Sequence, residues 1–153
     1  MENYPVRIEA KITRPKPIKN LIKRKKLNAF LERSTESLVV FHAAIGYGKT
    51  VFMNEWKADR PEIKKAWYHI SYMDNDLIVF MEYLADTVKR QLSDFSFPLD
   101  SYREMEDERY VCERMSAEFC QTLGQVIAED ADTESLIIIL DDFQEIVTDR
   151  IKE

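Results

Sequence analysis

The segment AAIGYGKT, residues 43–50, constrains the fold more than any other part of this 153-residue chain. It holds two of the only three glycines, Gly46 and Gly48, directly before a lysine and a threonine. Ahead of it, the apolar and partly β-branched run over residues 37–43 predicts a buried strand. Behind it, KTVFMNEWKADR contains no glycine or proline and predicts a helix that is closed by Pro61. The sequence therefore predicts a strand, a glycine turn and a helix in succession.

The remainder of the chain alternates between strand and helix patterns. Residues 64–71 predict a second strand, and residues 74–92 predict an amphipathic helix that begins with three good capping residues. Residues 93–109 predict a loop that leads into another amphipathic helix. Five aliphatic residues followed by two aspartates, within residues 135–146, predict a strand buried on both faces with acids at its carboxyl end. This alternation predicts an α/β fold.

The N-terminal region differs from the rest in charge. Residues 1–18 hold three of the five prolines and predict an extended arm, and the apolar spacing over residues 18–31 predicts one helix or two short ones. The whole chain carries a net charge of −6, which argues against a protein that mainly grips nucleic acid. Residues 11–26 nevertheless carry eight basic residues and no acid. We interpret this run as a solvated face, with a local role beside an anion as the alternative.

The cysteines and the hydropathy pattern indicate the compartment. Cys112 and Cys120 lie in a predicted helix, where eight residues span about 12 Å, beyond the reach of a disulfide. No apolar run is long enough for a membrane span, and the N-terminus lacks the apolar core of a signal peptide. We therefore expect a cytoplasmic chain with no membrane partner.

Residues 43–50 match the phosphate-loop pattern, in which a small residue and four of any kind precede glycine, lysine and serine or threonine. Such a loop turns backbone N–H groups toward a phosphate, its lysine reaches the β- and γ-phosphates, and its hydroxyl ligates Mg²⁺. A strand-to-helix turn would explain the glycines, but not why a lysine begins the helix, where a cation is disfavoured. We predict a nucleotide site. Its residues are Ala43, Ala44, Ile45, Gly46, Tyr47, Gly48, Lys49 and Thr50.

The aspartate pair at the end of the last predicted strand supports this site. A phosphate-loop NTPase needs an acid there to hold Mg²⁺, and a second acid can orient or deprotonate the attacking water. Asp141 and Asp142 supply both acids, with the Thr50 hydroxyl as a further Mg²⁺ ligand and Lys49 on the phosphates. Taken alone, the pair is better explained as the start of a turn, and the phosphate loop upstream decides between the two interpretations.

Other chemistry-bearing residues give weaker signals. His42 and His69 fall in predicted strands without metal-ligand spacing, and we interpret both as packing residues. Trp56 and Trp67 are interpreted in the same way, whereas Tyr47 is exposed enough by its position in the loop to touch a ligand. No nucleophile–histidine set can be argued from spacing.

Four segments together resemble a known family: KITRPKPIKNLIKRKKLNAFL, AAIGYGKTVFMNEW, AWYHISYMDND and LIIILDDFQEI. They resemble the N-terminal ATPase domain of MalT-like, LuxR-type transcriptional regulators, which belong to the STAND class of signalling ATPases. The resemblance implies a phosphate-loop NTPase fold of the ASCE type, a parallel sheet with flanking helices, and a switch that binds ATP with Mg²⁺. It also implies that Asp141 holds Mg²⁺, that Asp142 is the hydrolytic acid, and that the arm around Arg14 lies near the nucleotide base.

The chain departs from that family in one respect that concerns the sheet. It ends at Glu153, shortly after the aspartate pair, whereas the family has a further central strand that comes later in sequence. We therefore expect an incomplete sheet that closes abnormally or needs a continuation. The expected domains are an N-terminal basic arm and helix over residues 1–36 and a truncated phosphate-loop domain over residues 37–153.

The resemblance also implies the partners. We expect ATP binding, with turnover dependent on the missing segments, and self-association or association with a full-length regulator, without DNA binding by this stretch. Two alternatives stay open: another phosphate-loop enzyme such as a small-molecule kinase, and a non-catalytic interaction protein that pairs through exposed strand edges.

Overall fold

The computed structural model describes residues 8–18, 21–58, 60–105 and 108–152, and it shows a mixed α/β chain. The regular elements, in chain order, are α1 (Lys25–Arg33), α2 (Lys49–Glu55), β1 (Ile63–His69), α3 (Leu77–Lys89), α4 (Glu108–Glu129), β2 (Ser135–Asp141) and α5 (Asp149–Lys152). Short 3₁₀ helices occupy Glu9–Ile12, Tyr72–Asp74, Leu99–Tyr102 and Phe143–Glu145.

The chain divides into two compact units, one formed by Met1–Arg14 with Pro61–Glu153 and the other by Pro15–Arg60. We call them the larger and the smaller unit. The sequence-based domain boundary after residue 36 stays a prediction.

The larger unit contains a parallel sheet of two strands, β1 and β2. The register sets Trp67 opposite Ile139 and His69 opposite Asp141, so both strands end at the same edge. Both strands were predicted, but the burial of β2 on both faces is wrong. Its first four residues are only half-buried and Leu140 is 37% exposed, because β2 pairs with a strand on one side only among the described residues.

The predicted strand over residues 37–43 does not form. This segment is irregular, and Leu38 and Val40 are 78% and 79% exposed. A β-branched sequence becomes a strand only where a neighbouring strand supplies hydrogen bonds, and here β1 and β2 pair with each other instead. Phe41 alone makes a described ring contact, with Phe52 of α2 at 5.7 Å between ring centroids.

Helix α3 lies within the predicted range of residues 74–92, and α4 forms after the predicted loop, so both confirm the helical periodicity. The Asp76 carboxylate accepts the backbone N–H of Val79 at 3.0 Å and so caps the N-terminus of α3. The helix after the glycines also forms, but it ends at Glu55 rather than at Pro61, because Trp56 is extended and Lys57 has a left-handed φ of 52°. Neither α4 nor any other helix in the described residues combines the length and the apolar character needed to cross a membrane.

The core of the larger unit lies between β1, α3, α4 and the connection that follows α3. One face of β1 contributes Ala66 and Tyr68, which pack against Phe80 of α3 and other apolar side chains. Trp67, on the opposite face of β1, is also fully buried, which confirms its interpretation as a packing residue. Cys112 and Cys120 on α4 are unbridged, as their spacing predicts.

The N-terminal arm is not simply extended where the structure describes it. Residues Glu9–Ile12 form a 3₁₀ helix in the larger unit, and Lys11 and Ile12 are buried. The interpretation of the basic run as a solvated face is therefore wrong for Lys11, whose ammonium group pairs with the buried Asp74. Residues 1–7 and Lys19 lie outside the described residues.

The smaller unit has little buried apolar surface. Its buried residues in the described part are Leu31, Phe52 and Asn54, whereas Phe30 is largely exposed. The apolar spacing over residues 18–31 yields one helix, α1, that begins only at Lys25.

Candidate functional site

The glycine loop of the smaller unit takes the backbone conformation that its sequence predicts. Gly46 and Gly48 have φ values of 85° and 72°, in the left-handed region that side chains rarely adopt. Gly48 immediately precedes α2 and is its N-cap residue. A Cβ atom on Gly46 would meet open space, whereas one on Gly48 would lie 3.0 Å from Nη2 of Arg24. Gly48 is thus favoured by its conformation, and a side chain there would require the flexible end of Arg24 to shift.

Lys49 folds back across this loop. Its ammonium group donates to the carbonyl oxygen of Ala43 at 2.7 Å and to that of Ala44 at 3.3 Å. The Tyr47 N–H also points toward the Ala44 carbonyl, at 3.5 Å. The lysine is therefore held against the start of the loop.

The rest of the loop faces solvent. Ile45 is 98% exposed and Tyr47 is 65% exposed, which confirms that Tyr47 is accessible to a ligand. Thr50 is half-buried and, with Pro15 and Asn54, lines a cavity of about 40 Å³. That volume is far below the several hundred Å³ of a typical small-molecule pocket, so this cavity by itself cannot hold a nucleotide base.

Pro15, the first residue of the smaller unit, contacts α2. The side-chain amide of Asn54, which is buried, donates to the Pro15 carbonyl at 2.8 Å and so fixes Pro15 to this helix. Arg14, the residue before, is exposed and belongs to the larger unit.

The second predicted group lies at the carboxyl edge of the sheet in the larger unit. Asp141, the last residue of β2, is buried, and its backbone carbonyl accepts the N–H of Ile70 at 2.9 Å. Asp142 adopts a left-handed φ of 61°, unusual for a residue other than glycine, and its carboxylate accepts the side-chain amide of Gln144 at 2.9 Å. The chain therefore turns sharply between the two acids.

His69 lies beside both acids. Its Nδ1 is 3.6 Å from an oxygen of Asp141, and its Nε2 is 3.7 Å from an oxygen of Asp142. The imidazole is 53% exposed, so the interpretation of His69 as a packing residue is wrong. His42 is also exposed and lies in no strand, so that interpretation fails for it as well.

The predicted site residues form two groups, one in each unit. Ala43 to Gly48 form the loop of the smaller unit and Lys49 and Thr50 begin α2, whereas Asp141 and Asp142 lie in the larger unit. In the part of the chain that the structure describes, no group of three or more His, Cys, Asp or Glu side chains could hold a metal ion by itself.

Two residues of these groups were not identified from the sequence as site residues. Arg24 reaches the loop from 23 residues before Tyr47, and no local pattern marks it within a basic run. His69 could have been found, because it ends a strand and carboxyl ends of parallel strands share an edge.

Comparison with known proteins adds a second line of evidence. The HTH-type transcriptional regulator MalT of Vibrio parahaemolyticus is 30% identical to this chain over 148 residues. The MalT regulator of Vibrio cholerae is 30% identical over 149 residues, and that of Vibrio campbellii 29% over 148 residues. The chain is homologous to MalT transcriptional regulators.

This homology covers 95% of the chain but only 15% of the length of these relatives. No protein-family model matches the chain, and no solved structure matches it. The similarity is thus to one stretch of these regulators.

Proposed function

We propose that this chain is the ATP-binding switch segment of a transcriptional regulator of the MalT type. In this proposal the loop from Ala43 to Thr50 holds the phosphates of ATP, and the fold is that of a phosphate-loop NTPase of the ASCE type. The proposed activity of this chain is ATP binding. If ATP is also hydrolysed, Asp142 is the residue that we assign to that step.

The observation that carries the proposal is the geometry of Lys49 on the glycine loop. Its ammonium group is bound to the carbonyl groups of Ala43 and Ala44, and the two left-handed glycines lie between them and the lysine. A loop of this conformation can turn its backbone N–H groups to a phosphate while the lysine supplies positive charge. The homology to MalT regulators over 95% of the chain supports the same assignment.

The proposed metal is Mg²⁺, with Thr50 and Asp141 as its protein ligands. Mg²⁺ in nucleotide sites is held by one or two protein oxygens, with phosphates and water completing six ligands. The described residues offer no larger cluster of acids, so this metal would depend on the nucleotide for most of its ligands. The ion would neutralise charge on the phosphates, while Lys49 would orient them.

The remaining assignments rest on the resemblance. Arg14 is proposed to lie near the nucleotide base, and the fixing of Pro15 to Asn54 supports an arm held close to α2. We further propose that the chain associates with itself or with a full-length regulator, and that it does not bind DNA.

Filter binding of labelled ATP, with and without Mg²⁺, tests this function on the 153-residue chain. Wild type should bind, and Lys49→Ala should bind at least tenfold more weakly, because the loop loses its charged hydrogen-bond donor. Lys57→Ala is the matched control, since Lys57 follows the same helix but contacts the Trp56 ring. Equal affinity of wild type and Lys49→Ala would refute the proposal.

A second candidate function is that of an interaction module, and the exposed segment around Leu38 and Val40 favours it. An unpaired aliphatic segment and a half-buried strand, β2, are the features that add to another sheet. If this function holds, sedimentation should show association that ATP does not change, and Val40→Lys should abolish it. A monomer at all concentrations would exclude the second candidate.

A further inference from the structure

A second cation contacts the glycine loop. Arg24, in the stretch directly before α1, donates from Nη2 to the carbonyl oxygen of Tyr47 at 2.6 Å. The same nitrogen lies 3.0 Å from the position that a Cβ atom on Gly48 would take. The guanidinium group therefore lies on the peptide that joins Tyr47 to Gly48, in the middle of the phosphate-loop pattern.

The guanidinium group of Arg24 has more hydrogen-bond donors than one carbonyl oxygen can accept. A guanidinium carries five N–H donors in a planar fork, which matches two phosphate oxygens, and the Tyr47 carbonyl takes one of them. A guanidinium and a phosphate frequently form two parallel hydrogen bonds, which adds geometric specificity as well as energy. Arg24 is also exposed, so an anion can approach it.

The charges on the loop also favour the binding of an anion. Two cations, Arg24 and Lys49, are bound to carbonyl groups of one short loop. Residues 37–54 contain no aspartate or glutamate that could balance them. Two like charges held on one loop repel each other, and a polyanion bound there would remove the repulsion.

We propose that Arg24 is a second phosphate-binding residue of this loop, whose guanidinium exchanges the Tyr47 carbonyl for phosphate oxygens when nucleotide binds. This inference rests on the proposed function and extends it to a residue outside the loop. It also gives Gly48 a further role, because a side chain there would meet the guanidinium. The competing explanation is a purely structural tie between Arg24 and the loop.

Calorimetric titration of the full chain with ATP and with AMP, at low and moderate salt, separates these explanations. We expect Arg24→Gln to weaken ATP binding about tenfold or more and to change AMP binding much less, because a phosphate contact is worth more to a triphosphate. The salt dependence of ATP binding should also fall. Arg24→Lys should restore part of the affinity, since it keeps the charge but not the fork. Arg33→Gln, on the exposed end of α1, is the matched control and should behave as wild type.

These measurements distinguish failure of the Arg24 proposal from failure of ATP binding by the chain. If Lys49→Ala loses ATP while Arg24→Gln binds both nucleotides as wild type does, Arg24 takes no part and this inference is overturned. If Arg24→Gln weakens ATP and AMP by the same factor, Arg24 is only a structural tie, and the inference is again overturned. If wild type binds no ATP, the proposed function and this inference fail together.

Discussion

The ammonium group of Lys11 lies 2.5 and 2.7 Å from the two carboxylate oxygens of Asp74, in the interior of the larger unit. It also donates to the Ser71 hydroxyl at 2.8 Å and lies 4.9 Å from the centre of the Tyr83 ring. Asp74 is fully buried, so this ion pair fixes the 3₁₀ helix Glu9–Ile12 to the remainder of the unit.

Removal of one partner should be costly, because the other charge is then buried alone. We predict that Lys11→Met lowers the free energy of unfolding in urea by about 3 kcal/mol. Lys89→Met, at an exposed position on α3, should change it by less than about 0.5 kcal/mol. Similar values for the two variants would show that the ion pair does not hold the N-terminal helix in place.

Asn75 joins the start of α3 to the segment after β2. Its side-chain oxygen accepts the N–H groups of Val147 at 2.7 Å and Thr148 at 3.2 Å, and its amide donates to the Glu145 carbonyl at 2.9 Å. We predict that Asn75→Ala destabilises the chain by about 2 kcal/mol, because several backbone groups lose their partner at once. Gln125→Ala, on the exposed side of α4, serves as the control. A loss in urea unfolding no greater than that of the control would contradict this role.

Asp130 makes the stability of the folded chain depend on pH. A hydrogen bond from Lys64, with others from the Thr133 hydroxyl and the Asp132 backbone N–H, lowers the pKa of Asp130 to about 2. A lowered pKa stabilises the folded state at a pH above the ordinary value of 3.8, and that contribution is lost as the pH falls toward 2.

We therefore predict that Asp130→Asn is less stable than wild type at neutral pH, and that the two converge between about pH 4 and pH 2. Thermal unfolding as a function of pH measures this, with Asp132→Asn as the control at an exposed neighbour. Curves that run parallel down to pH 2 would mean that the Lys64 pair contributes nothing.

Gly46 and Gly48 provide a matched pair for the loop. Both have positive φ, so alanine should cost about 1–2 kcal/mol at either position, but only Gly48→Ala also places a Cβ against Arg24. We predict that Gly48→Ala destabilises the smaller unit more than Gly46→Ala does. The fluorescence of Trp56, which directly follows α2, reports on this unfolding. An equal effect of the two variants would show that the contact with Arg24 imposes no constraint.

The sequence predicts those parts of the fold that depend on local pattern. Helix α3 follows from its apolar spacing and from Asp76 as a cap, and the left-handed conformation of Gly48 follows from the loop motif. The strand over residues 37–43 could not be predicted in this way, because a strand forms only with a partner, and the pairing of β1 with β2 is not written in the local sequence.

The burial of individual side chains likewise cannot be predicted from the local sequence. Lys11 and Lys16 occur in one basic run, yet the first is buried on Asp74 and the second is exposed. Their difference depends on a carboxylate 63 residues away, which no periodicity reveals. Of the candidate site, the loop could be predicted from its motif, whereas the contact of Arg24 with Tyr47 could not.

Hydrogen exchange of the backbone amides of the glycine loop in the presence of Mg-ATP tests nucleotide binding by this loop most directly. If the loop holds the phosphates, exchange of Gly46, Gly48 and Lys49 should slow markedly when ATP is added, because their N–H groups become hydrogen-bonded to phosphate oxygens. The same addition to Lys49→Ala should leave exchange nearly unchanged. Exchange in the wild-type loop that ATP does not alter at saturating concentration would contradict the central claim that this loop binds nucleotide.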